Sequence, residues 1–412
     1  MRASTLFRAA GVLFLPALAA CGADKPTVRA VSRDSAGVPI VENAAPAWKS
    51  GEEWRLSAEP TLDIGLATGA AAYQFGRVTG AVRLSDGTVA VADAQSRELR
   101  FFDRSGRHVR TVGREGNGPG EFKNMNPLTA TGDSLVVGDQ SNQRVTVFGP
   151  DGSMVRAVPL QVPGMEGFIR PVGSLRDGSV LVTAGTLARG EAGNGISRDS
   201  ITILRLLPGG AARPLGRFAG DEMFTQGRGG AVMMAPRAFG LSAEVAAVPD
   251  GFFYGSTDSY RIGRYDAEGK LLRLINVQRE PREVTPEDVE RYKEGRRQAS
   301  AQGGRPPQVR QMLERSLESM SFPETLPAYS EIKADPAGNL WVRDYWITPD
   351  DPGQWTVFNP EGRMLGTVAT PARVRILEIG RDYVLGAWAD DLDVEHVRMF
   401  ALEKPAGATR AP

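Results

Sequence analysis

The chain has 412 residues, 41% of them apolar, enough to bury a sizeable core as two ordinary domains or one large all-β domain. Its 49 basic residues are balanced by 49 acidic ones, so there is no cationic excess to grip phosphates and nucleic acid is not an expected partner. The 48 glycines and 28 prolines suit many short strands joined by turns better than long helices. At the start, Arg2 and Arg8 accompany an apolar run from Ala9 to Ala20, which is the layout of an export signal. Cys21 is the single cysteine, so no disulfide can form within the chain. No later apolar run reaches the roughly 18 residues of a membrane-spanning helix.

The tetrapeptide Leu18-Ala19-Ala20-Cys21 resembles the lipobox of bacterial lipoproteins. The resemblance implies removal of residues 1–20 as a signal peptide and acylation of Cys21, whose two or three acyl chains would hold the protein on a bilayer. Gly22 follows the cysteine in place of Asp, which in that pattern implies the outer membrane, with the protein on its periplasmic or external side. Residues 21–50 then read as a lipidated cysteine and flexible tether, rich in Ala, Pro and Ser without a period of two or 3.6.

From Trp54 onward the sequence repeats. A tight turn before an apolar run recurs at Gly87, Asp133, Gly178, Gly251, Gly338 and Asp382, in steps of 46, 45, 73, 87 and 44 residues. Beside it, an apolar residue stands four before a turn glycine: Phe102 with Gly106, Phe148 with Gly152, Leu206 with Gly210, Tyr265 with Gly269 and Phe358 with Gly362. A step of about 45 residues is one propeller blade of four short strands. Six markers predict an all-β, six-bladed β-propeller over residues 51–403, followed by a disordered tail at 404–412.

The run GPGEF, then DG, then V-x-D-x-x-N-x-R-V-x-V-F, then DG resembles the NHL-repeat type of six-bladed propeller, which includes lipid-anchored bacterial members. The pattern is strongest in the first two blades and departs in the third, where Asp139 and Arg144 have no clear counterparts. An unpaired edge strand invites aggregation, so the ring must close. No strand follows Phe400, but Thr61 to Gly65 followed by Tyr73-Gln74-Phe75 looks like Arg110 to Gly113 followed by Gly120-Glu121-Phe122. Residues 61–65 are therefore predicted to supply the outermost strand of the last blade.

Strand alternation places four insertions on one face: Gly185 to Ser200, Gly220 to Gly240, Val277 to Tyr329 and Asp344 to Gln354. The longest, 277–329 between blades four and five, reads as a helical hairpin. Thr285 is its cap, Pro286 its first helical residue, and Met312, Leu313 and Leu317 fall at helical spacing. It acts either as a lid over a ligand or as a brace on neighbouring loops.

The chain has no GxSxG, HExxH, CxxC or GxxxxGK[ST] motif. Its two histidines, His108 and His396, lie in different blades, which excludes a histidine-rich zinc centre. Asp93 and Asp139 end second strands and are candidate ligands for calcium or another divalent cation, the alternative being that Asp139 caps its corner and pairs with Arg144. The acidic run Asp390 to Glu395 lacks the glycine and final Glu of a calcium loop and reads as a solvated corner. Arg228, Arg237, Arg343, Asp344, Tyr345 and Trp346 are the candidate ligand-binding residues of the loop face. The first reading is thus a monomeric, lipid-anchored propeller that binds a protein, peptide or carbohydrate ligand without chemistry or a required cofactor. The alternative is a divalent-metal-dependent hydrolase or lactonase acting at the channel mouth.

Overall fold

The computed structural model describes residues 30–162, 167–186, 195–228, 231–302, 306–390 and 393–405. Six antiparallel sheets follow one another along the chain, each beginning near one of the repeat markers. Blade one illustrates the plan, with strands Val78–Arg83, Val89–Asp93, Glu98–Phe102 and His108–Val112 in spatial order. Val89, Ala90, Val91 and Ala92 are all buried, because the second strand is covered by a neighbouring blade on each side. The turn before it needs a left-handed residue, and Gly87 supplies a φ of +89°.

The first strands of blades one to five stand beside one another in chain order, and that of blade six, Val374–Ile379, returns to Val78–Arg83. They form the inner wall of a closed ring. Each gap between blades holds its own apolar cluster. Phe101 of blade one meets Phe122 and Leu128 leading into blade two, and Val147 meets Val182 between blades two and three. Ile203 meets Phe252 between three and four, Tyr260 meets Phe358 between four and five, and Trp355 meets Ile376 between five and six.

The sixth gap is where the ring closes. Leu62–Ile64 pairs antiparallel with Glu395–Glu403, in the register Val397 to Ile64, Arg398 to Asp63 and Met399 to Leu62. Strand exchange across the termini removes the free edge, as the sequence predicts. Asp63 fixes the seam with Arg398 at 2.9 Å and His396 at 2.7 Å.

Two elements differ from expectation. The tether predicted for 21–50 is folded from Ala30 on. Ala30–Ser35 and Val38–Asn43 form a hairpin, and its second strand lies parallel to Leu271–Val277 at the rim of blade four. Asn43 is buried and crosses to blade five, donating to the Gly362 carbonyl at 3.0 Å and accepting from the Met364 amide at 2.8 Å. Beyond it, the Ala47 and Trp48 amides bond to the Met364 and Leu365 carbonyls, and Trp54 packs between Trp48 and Trp341. Residues 38–64 therefore strap the rims of blades four, five and six. Cys21 and the rest of the predicted tether, 22–29, lie outside the described residues.

The insertion in blade three, and the one after it, form strands rather than loops. Gly195–Leu206 pairs with the 17-residue strand Ala212–Arg228, which pairs in turn with Ala231–Pro236. The predicted helical hairpin is present as α1 (Pro286–Gln302) and α2 (Pro307–Glu318). Thr285 and Asp288 cap α1 reciprocally, each amide bonding to the other's side chain at 3.2 and 3.1 Å. Val289, Tyr292 and Phe322 pack with Phe239 before blade four and with Tyr345 and Ile347 in blade five, and Arg291 pairs with Asp351. The hairpin is anchored to its neighbours as a brace. Leu317 is buried as its spacing implies, but Met312 is exposed.

Candidate functional site

In the two best-matched blades the repeat signature is a scaffold device. Asp139 is fully buried, and its two oxygens accept from the amides of Lys123, Asn124 and Asn142 and from the Asn142 side chain, at 2.8 to 3.1 Å. Asn142 also holds the Gly116 carbonyl at 2.9 Å. Arg144 does not pair with Asp139. Its guanidinium donates to the carbonyls of Asn117, Gly118 and Glu121, all in the glycine-rich connection between blades.

Asp93 does the same in blade one, accepting from the amides of Gly76, Arg77 and Gln95 and from the Ser96 hydroxyl. Arg100 takes the place of Arg144, bonding to Gln74 at 2.7 Å and to Asp93 at 3.4 Å. A carboxylate whose oxygens already receive three or more donors is a corner cap, and is not presented to an ion. Among the described residues no three His, Cys, Asp or Glu side chains converge as a metal site.

A different set of residues meets at the channel mouth. Glu244 and Glu331 are the first residues of the innermost strands Glu244–Val248 and Glu331–Ala334, which are neighbours in the ring. They therefore sit at one level. Arg375 is the second residue of the corresponding strand of blade six and donates to the Val78 carbonyl of blade one at 2.6 Å. Arg343 ends the second strand of blade five and stands opposite Glu331 in the ladder. Together with Ser330, Trp346, Pro349, Arg373 and Val374, these residues line a pocket of about 420 Å³.

The charges of this pocket are unequal. Glu331 is neutralised by Lys333 at 2.9 Å, and Arg373 lies 3.4 Å from Asp350. Glu244 accepts from the Ser242 hydroxyl at 3.0 Å. Burial, reinforced by the negative charges of Glu331 and Asp221, pushes its pKa up to about 8, so it carries its proton at neutral pH. Arg343 is only 6% exposed, and its Nε has no hydrogen-bond partner. Its guanidinium lies over the Trp346 ring at 4.5 Å and near Trp355 at 6.0 Å, and the carboxylates of Glu331 and Asp351 act on it without a direct ion pair among the described residues.

Of the six binding candidates, the structure brings Arg343 and Trp346 together in this pocket. Three others are placed elsewhere. Asp344 is tied to Arg279 at 2.9 Å, Tyr345 is packed under α1, and Arg237 pairs with Glu222 at 3.2 Å. The side chain of Arg228 lies outside the described residues. Sequence reasoning missed Glu244, Glu331 and Arg375, for which the available signal was a charged residue first or second in the inner strands of blades four, five and six.

The comparisons agree with this architecture. The DUF5128 family, described as a 6-bladed beta-propeller, matches residues 75–162, the span of blades one and two. No curated protein matches the chain. Among solved structures, a member of the DUF4221 family from Bacteroides vulgatus aligns with a TM-score of 0.51 at 11% identity, covering 86% of this chain and 99% of its own. A gluconolactonase from Xanthomonas campestris aligns at a TM-score of 0.41 and 14% identity, covering 84% of this chain and 100% of its own. Repeat, ring closure and family match together make the chain a six-bladed β-propeller with a helical hairpin inserted between blades four and five.

Proposed function

We propose that the protein is a ligand-binding propeller of the cell envelope, held at the outer membrane through an acylated Cys21. Its channel mouth would take a small carbohydrate or a peptide segment without chemistry. The pocket between blades four, five and six carries this reading, since it offers an aromatic face together with a few fixed polar groups, as ligand sites do. Calorimetric titration of the soluble chain, starting after Cys21, with neutral and acidic sugars and short peptides tests it. Saturable binding that is weakened by Trp346→Ala is expected. Absence of binding across all three panels would refute it. The anchor is checked separately by metabolic labelling with palmitate, which Cys21→Ala should abolish.

A metal-dependent hydrolase is the second reading, favoured by Glu244, whose raised pKa lies where a general acid works. Thermal unfolding with added calcium, magnesium, manganese or zinc separates the two, because a cation bound only by the folded state must raise the midpoint. A rise with any of these cations would move the assignment to the enzyme.

A further inference from the structure

Arg343 is a buried cation with no carboxylate in direct contact among the described residues; Glu331, opposite it in the ladder, and Asp351 act on it only from a distance. It is nine-tenths buried, and its Nε has no hydrogen-bond partner among the described residues. Burial pulls its pKa below the ordinary arginine value, as expected for a desolvated charge. A buried charge without a direct ion pair is costly to a fold. Trp346 and Trp355 hold the guanidinium plane, so the fork is oriented before anything binds.

From this we infer that the ligand of the channel mouth is a small organic carboxylate, seated on the guanidinium of Arg343 with Trp346 beside it. The inference rests on the proposed binding function and deepens it. A carboxylate matches the planar fork with two parallel N–H···O bonds. Donor availability favours the Arg343 fork as the seat. Of the pocket's three arginines, Arg373 faces Asp350 and Arg375 keeps its charge but gives a donor to the Val78 carbonyl, which leaves the Arg343 fork as the one without a direct partner among the described residues. Two glutamates line the same wall, and the protonated Glu244 can donate to one carboxylate oxygen or to a neighbouring hydroxyl. An acidic monosaccharide satisfies both requirements.

The test titrates the chain starting after Cys21 with glucuronate, glucose and inorganic phosphate, in the wild type and in Arg343→Met, with thermal unfolding of both recorded. Glucuronate should bind at least about tenfold more tightly than either glucose or phosphate, and Arg343→Met should remove that preference, given the strength of a charge-assisted pair. The unfolding midpoint of Arg343→Met should stay level or rise, because the substitution removes a buried charge that has no direct ion pair. Equal affinity for glucose and glucuronate, or tighter binding of phosphate, would overturn the carboxylate assignment while leaving a binding site in place. A lowered midpoint with unchanged glucuronate affinity would make Arg343 structural and overturn it as well. If none of the three probes binds and the sugar and peptide panels are also silent, the binding function itself fails.

Discussion

Asp139 accepts four hydrogen bonds from residues that belong to the inter-blade connection and the following corner. Asp139→Asn would keep the shape but turn an amide NH₂ toward backbone donors, so at least one buried amide loses its acceptor. The expected cost is about 2 to 4 kcal/mol in denaturant unfolding, and a variant as stable as the wild type would show that the corner is held by other contacts.

The two raised glutamates predict a pH dependence. Burial pushes Glu378 up to about 7, against the Arg83 amide and Tyr383 hydroxyl bonds that favour its ionised form, while Glu244 reaches about 8. Both start from 4.5, so the native state keeps protons that the unfolded chain has released. Their contribution is complete at low pH and is lost as pH rises through 7 and then 8. Unfolding midpoints measured at about pH 5 and about pH 9 should fall for the wild type, and the fall should be smaller in the double variant Glu244→Gln, Glu378→Gln. An equal fall in both proteins would refute the assignment. The Asp139 cap was legible because its role is local, although Asp93 was read only as a candidate ligand; Glu244 was not legible, since its character comes from burial that only the closed ring creates and from Glu331 and Asp221.

At the scale of elements, the rim strap is held at its first crossing by Asn43, whose side chain donates to Gly362 and Asn276 and accepts from Met364. Asn43→Ala should cost about 1 to 3 kcal/mol and raise amide exchange in residues 38–48 first. Exchange unchanged there, with the loss appearing only in blade four, would mean that the strap docks through its apolar side chains alone. Sequence reading took this segment for a tether because its turn, Ala36-Gly37, carries no Asn-Gly signature, although both residues have positive φ, +54° and +82°. The three-stranded ribbon of blade three was hidden for a similar reason, since glycine-rich stretches such as those around Gly220 and Gly227 read as loop until partner strands pair with them. The helical hairpin was legible because a Thr-Pro start and acids in the first turn are local signals.

At the scale of the whole molecule, closure makes the six blades one thermodynamic unit. An open array of repeats can lose stability from its ends inward, since each repeat contacts only its neighbours. Here blade six is completed by residues from the opposite end of the chain, and every blade packs against two others. Ile64 and Leu62 are buried in the seam between blades six and one, at 1% and 7% exposure. Replacing both with alanine should cost about 2 to 5 kcal/mol for each site. The cost should not remain at the seam. Once the last strand detaches, blade one loses its wall and the opened ring has two free faces, so the transition should stay single and shift as a whole. Hydrogen exchange monitored by blade is the measurement, with blade three, across the ring from the seam, as the reporter. Protection lost there by the same free energy as in blade six is the expected result. Protection retained in blade three while blade six exchanges would mean that the propeller unfolds blade by blade, with closure serving only to cover an edge.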